Sequence, residues 1–173
     1  ERLENGENRL DKIFMLACDA KFSIHDLSCC RSSVADEFFR MNMPFELGLD
    51  LGIRRCSVDL PSPKKFLIFE QNAYDTKRSL SDLAGQDVAA HRGRYEVVIQ
   101  KVRDFLRVEA ELDAPGPSRI KADYETCLGW ITEKKIHEGH SEKEALSLPT
   151  SERLSEMKRW VQLGRPVRFE THV

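Results

Sequence analysis

The hydrophobic positions along the chain alternate between a helical and a strand-like rhythm. Leu10, Ile13, Phe14 and Ala17 recur at helical spacing, and Asn8 stands where an N-cap belongs, so a helix is expected over 9–20. Phe22 to Leu27 is short, mostly apolar and rich in strand formers. A polar loop, CCRSSVADEFFR, leads into MNMPFELGLDLG at 41–52, where Met43, Phe45, Leu47, Leu49 and Leu51 point in several helical directions. A helix apolar nearly all round is expected to be buried. FLIF at 66–69 is a continuous apolar run, as in a strand covered on both faces. A shorter helix is expected over 74–83, with Gly85 as its left-handed C-terminal cap and Asp87 bracing the turn; the alternative is that Ser81, Asp82, Gln86 and Asp87 line the ligand rim. DVAAH at 87–91 is a weak strand. Residues 95–107 form an amphipathic helix with Val98, Ile99, Val102, Phe105 and Leu106 on one face.

Such alternation predicts an α/β fold, a parallel sheet with helices on its faces and all strand C-termini on one edge. APGPS at 114–118 marks a boundary, after which the strands stop. Ile120, Tyr124, Cys127, Leu128 and Ile131 give one helix; Leu154, Met157 and Val161 give another, capped by Thr150 or Ser151. HEGHSEKEALSLP reads as a polar connection, and RPVRFETHV as an added strand or a tail. Residues 1–113 are thus expected to form the α/β domain and 114–173 a helical C-terminal extension. Trp130 and Trp160 are expected to pack against the parent domain; a dimer face or a dock for another protein are the alternatives. Three strands make a thin sheet for this layout, which usually has about five. The shortfall predicts a further strand and helix, and a second strand, ahead of Glu1.

Composition narrows the function classes. With 173 residues the chain is long enough for a real core. A net charge of -2 gives no general attraction to nucleic acid or an anionic membrane, and no apolar run is long enough to span a bilayer. The five cysteines are odd in number and include no CxxC pair, which argues against a disulfide scaffold or a structural zinc site and for a cytoplasmic location. His137 and His140 flank Gly139 without other ligands nearby in sequence, so no metal site is expected.

The candidate chemistry lies where strands end. Ligands of open parallel sheets bind beyond the strand C-termini, at helix N-termini. Asp26 and Ser28 close the first strand, and Asn42 to Glu46 open the next helix, so both sets are expected on the same rim. Free backbone N–H groups at a helix start suit a phosphate or a sugar hydroxyl. A carboxylate there can attack or stabilise a developing sugar cation, as in glycoside hydrolysis. The competing reading makes Glu46 a helix cap: with Met43 as N-cap it falls at N3, in half a capping box. Gly48, two residues on, costs helix stability but permits close approach of a backbone or ligand. His25, beside Asp26, is either a ligand contact or a hydrogen-bonded core residue. His91 ends the weak strand at the same rim. Glu7, Asn8 and Arg9 precede a helix and would contact ribose or phosphate, or simply form a turn and a cap.

IHDLS, NMPFELGLDLG and KKFLIF, in that order, resemble the sugar-nucleotide site of nucleoside 2-deoxyribosyltransferases and of Toll/interleukin-receptor-like (TIR-like) domains. Asp26 matches the aspartate that ends a strand, Phe45-Glu46-Leu47-Gly48 match the helix motif, and Lys64 or Lys65 stands before the next strand. A closer likeness, over nearly the whole chain, is to a group of uncharacterised bacterial TIR-like proteins sharing IHDLS, NMPFELGL, LSD-AGQD and a helical tail after PGP. That group begins with a strand and an Asn-Cys-Pro-Phe-like loop, neither of which is found here.

The resemblance implies a flavodoxin-like sheet and Glu46 as nucleophile with Asp26 as its catalytic companion. By their expected position at the rim, His25, Ser28, Asn42, Met43, Phe45 and Asn8 are the candidate substrate contacts. Its activity would be hydrolysis of the N-glycosidic bond of NAD or a related nucleotide, as in TIR-like effectors of antiphage defence. No cofactor or metal is needed, NAD or another nucleotide being substrate or ligand. The expected partners are that nucleotide and a homo-oligomer or protein docked through the C-terminal helices, with no nucleic acid and no membrane. The alternative is a non-catalytic nucleotide sensor or adaptor in which Glu46 merely caps its helix. Transfer of deoxyribose between bases would need a second base site, for which no feature is assignable.

Overall fold

A computed structural model describes residues 8–29, 41–56, 63–83 and 85–170. The chain divides into two compact units between Ala114 and Pro115.

The first unit is α/β. Its elements are α1 (Arg9–Asp19), β1 (Phe22–Asp26), α2 (Asn42–Cys56), β2 (Lys65–Glu70), α3 (Asp75–Ser79), a 3-10 turn (Ser81–Leu83), β3 (Val88–Ala90) and α4 (Tyr95–Glu109). The strands form a parallel sheet in the order β1-β2-β3, with Asp26 opposite Phe69 and Phe69 opposite Ala89. Helices flank it. Strand side chains alternate between faces. On one face His25 meets Asp50 of α2, and Leu27, Leu47 and Ile68 form a buried cluster joined by Met43, Leu51 and Phe66. On the other, the Phe22 ring meets Phe105 of α4 edge-on at 6.1 Å, and Lys65 pairs with Glu109 at 2.9 Å.

Several sequence expectations change here. Asn8 does cap α1, accepting from the Leu10 N–H at 3.0 Å. Yet no described residue of α1 is buried; Leu10 and Phe14 are more than two-fifths exposed. The helix over 41–52 is not buried all round: α2 buries only Leu47 and Asp50 fully, while Phe45 is exposed. Its first helical residue is Asn42, so Glu46 lies in the second turn and not at the N3 position of a capping box. A Cβ at Gly48 would meet nothing within 4 Å, so no close approach among the described residues requires that glycine. The helix expected over 74–83 stops at Ser79 with Leu80 as its C-cap, so Gly85 stands too far along the chain to cap it.

The second unit is helical: α5 (Pro117–His137), α6 (Glu142–Leu146) and α7 (Thr150–Gln162). Cys127, Trp130, Ile131, Leu148 and Trp160 form its core, with Met157 and Phe169 packed against it. Both tryptophans thus belong to the core of their own unit, where packing on the parent domain was expected. The polar connection hides α6, started by a capping box in which the Ser141 hydroxyl accepts from the Glu144 N–H and Glu144 accepts from the Ser141 N–H. The N-cap of α7 is Pro149, one residue before the expected pair. Residues 165–170 carry no strand, and the Phe169 ring lies 5.9 Å from Trp130.

Candidate functional site at the strand C-termini

The parallel register gathers three chain segments on one rim: Asp26 to Ser28 at the end of β1, Glu70 to Asn72 at the end of β2, and His91 to Gly93 after β3. The rim begins with backbone pairing. The Leu27 N–H donates to Phe69 O at 2.9 Å, His91 N–H to Glu70 O at 3.0 Å and Arg92 N–H to Gln71 O at 2.8 Å. Gly93 turns the chain out of β3 with φ of 72°, a left-handed conformation that glycine adopts without a steric penalty.

Asp26, Ser28 and His91 meet in one hydrogen-bonded set. The Ser28 N–H donates to Asp26 Oδ1 at 3.0 Å, and the Ser28 hydroxyl makes a short hydrogen bond to the same oxygen. His91 Nε2 lies 2.6 Å from Ser28 Oγ and 3.6 Å from Asp26 Oδ1. The Gly93 N–H donates to His91 Nδ1 at 3.0 Å, which assigns the ring proton of the neutral imidazole to Nε2. Protons therefore run from His91 to Ser28 to Asp26. A serine nucleophile needs the reverse, with the imidazole accepting from the hydroxyl. The set is built to orient the Asp26 carboxylate, whose side chain is 56% exposed, toward the rim and not to activate Ser28.

Because β1 and β2 are parallel, α2 runs back between them, and its start, with Glu46 in the second turn, is directed toward the strand C-termini. One turn deeper, Asp50 fixes that helix against the sheet. His25 Nε2 donates to Asp50 Oδ2 at 2.9 Å, and Lys64 Nζ lies 2.7 Å from Asp50 Oδ1. Lys64 also donates to the Ala17 carbonyl, so one buried ammonium ties α1 to α2. Burial alone would raise the Asp50 carboxyl; the opposing hydrogen bonds from Lys64, Ser23 and His25, with the Lys64 charge, hold it below its ordinary value. Four residues of helix rise about 6 Å, so Glu46 stands one turn above this anchor on the same side of α2. It is half-buried, and its carboxylate has no hydrogen-bond or ionic partner among the described residues. Asp26 belongs to the strand face that carries Phe22, whereas α2 covers the other. Asp26 and Glu46 thus belong to opposite faces of the sheet, and no hydrogen bond joins them.

Glu70 has a structural task. Its buried carboxylate accepts from the Tyr74 and Thr76 N–H groups at 2.8 and 2.9 Å, anchoring the start of α3. That cap holds Tyr74 in a left-handed conformation with φ of 71°.

Comparison with protein-family models, with curated proteins and with solved structures gives no match. The geometry alone therefore locates the expected residues. Asp26 and Ser28 join His91 in one set. His25 is buried and engaged with Asp50. Asn42 is exposed at the start of α2, Met43 packs into the core beside Leu27, and Phe45 is exposed. Asn8 is occupied in capping α1. Glu7 lies outside the described residues. Sequence reading passed over Asp50, although its spacing of four from Glu46 placed both carboxylates on one helical face.

Proposed function

We propose that this chain is a TIR-like, deoxyribosyltransferase-like protein with a flavodoxin-like sheet, and that it hydrolyses the N-glycosidic bond of NAD or a related nucleotide. The observation that carries the reading is Glu46: a half-buried carboxylate without a partner among the described residues, one turn above a buried ionic anchor, at the edge where parallel sheets bind ligands.

In this reading the nucleotide spans the rim between the two carboxylates. Asp26, oriented by Ser28 and His91, accepts hydrogen bonds from ribose hydroxyls. Glu46 faces the anomeric carbon. The bond from that carbon to the cationic nicotinamide breaks, its electron pair leaving with the base, which departs neutral and needs no general acid. Glu46 stabilises the sugar cation or captures it as an ester. Water then adds to the anomeric carbon, and its proton passes to the released carboxylate or to solvent. The N–H groups of Asn42 and Met43 at the start of α2 bind polar parts of the ligand.

A second reading, nucleotide sensing without turnover, is favoured by the same Asp26–Ser28–His91 set, which is able to hold a ribose whether or not a bond breaks. A panel of NAD, nucleotides and nucleosides, incubated with concentrated full chain and assayed for free base by mass spectrometry, separates the two. Released base supports the hydrolase and names its substrate. Saturable binding without release supports the sensor. Absence of both binding and release overturns the nucleotide reading of the rim.

A further inference from the structure

The helical unit carries an open groove that the nucleotide reading does not use. It encloses about 510 Å³, large enough for a ligand segment. Its apolar lining is Trp130, Phe169, Leu163 and Val167, the last two more than half exposed. Arg159 and Arg168 line it as well.

The charges around the groove are unevenly satisfied. Arg119 pairs with Asp123 at 2.7 Å, Arg165 with the same carboxylate at 3.0 Å, and Arg153 donates to the Leu146 carbonyl at 2.8 Å. Lys134 and Lys135 are held by Glu138, Glu152 and Glu156. The guanidinium groups of Arg159 and Arg168 alone among the arginines of this unit have no partner among the described residues. Their charge outnumbers the single carboxylate of Glu170 on the same lining, while the neighbouring Glu133 carboxylate accepts from the Phe169 N–H at 2.9 Å.

We propose that this groove docks an acidic peptide segment with an aliphatic or aromatic anchor. The anchor covers Leu163 and Val167 and reaches toward Trp130, while flanking carboxylates pair with Arg159 and Arg168, a fork geometry that guanidinium groups favour. A single-stranded nucleic acid fits less well. Base stacking requires an open aromatic face, but Trp130 is 2% exposed and its ring is already engaged edge-on by Phe169.

The test uses the full chain and a fluorescein-labelled peptide of alternating Glu and Leu residues around one Phe, followed by anisotropy. Saturable binding is expected, weakened at least tenfold by the double reversal Arg159→Glu and Arg168→Glu, and weakened similarly when the peptide carries Gln for Glu. Leu163→Asp should also weaken binding, with circular dichroism showing the helices intact in each variant. Absence of saturable binding at millimolar protein, or binding indifferent to the double reversal or to the Gln peptide, overturns the proposal. So does tighter binding of a labelled oligo-uridine than of the acidic peptide.

Discussion

The Nε2–H of His25 donates to Oδ2 of Asp50 at 2.9 Å, with both residues buried between β1 and α2. That bond, with the Lys64 ammonium on the other oxygen, fixes the helix that carries Glu46. A candidate catalytic carboxylate is useful only if its helix holds one depth and one rotation, and a buried ion pair resists sliding because any displacement leaves a desolvated charge alone.

Removing one member should therefore be costly. Asp50→Ala leaves Lys64 and His25 buried without their anion, and the expected loss is roughly 3–5 kcal/mol. Urea unfolding followed by circular dichroism should show the midpoint moving down. An unchanged midpoint would mean that the pair contributes nothing net.

Acid should act on the same anchor. The Asp50 carboxyl is held below its ordinary value of 3.8, so the folded state binds that proton less readily than the unfolded chain. Its contribution is fully present above the ordinary value and is lost as pH falls through the lower folded value. Wild type should lose stability in that acid range more steeply than Asp50→Asn, compared by thermal melting across pH.

Much of the α/β layout was legible because local chemistry decided it: the Asn8 cap, the FLIF run of β2 and the amphipathic face of α4. The anchor was not. Asp50 sits among leucines in sequence, and only partners from β1 and from the residue before β2 determine that it turns inward. Register likewise hides the Asp26–Ser28–His91 set, whose members come from two strand ends 63 residues apart between Ser28 and His91. Gly85 misled for the opposite reason, since the helix it would have capped ends at Ser79 through geometry that Leu80 and the 3-10 turn provide.

The rim set gives a binding prediction. Ser28→Ala removes both the hydroxyl that orients Asp26 and the acceptor for His91. Affinity for the proposed nucleotide ligand should fall about fivefold to tenfold, the worth of one hydrogen bond, measured by isothermal titration. Unchanged affinity would place ribose recognition elsewhere.

The helical unit has its own pH window. Glu138 is pulled from 4.5 to about 2 by hydrogen bonds from Lys134 and Lys135. Lys135 is raised above its ordinary 10.5 by Glu152 and then Glu138. These interactions stabilise the unit fully between about pH 4.5 and 10.5 and fade as pH falls toward 2 or rises past 10.5. The chain's two tryptophans, Trp130 and Trp160, both lie in this core, so their fluorescence follows this unit. Melting by tryptophan emission should fall below about pH 4.5, and also above about 9.0, where the unfolded chain ionises Cys127 while burial raises that thiol in the folded core.

The most direct test of the central claim is a time course of nicotinamide release from NAD by concentrated wild-type protein beside Glu46→Gln, with thermal melts showing both folded. The amide keeps the shape and polarity of the glutamate side chain but cannot carry the negative charge or form the ester. Release by the wild type, falling at least a hundredfold in the variant, is the expected result. Equal release by both proteins would contradict a catalytic Glu46.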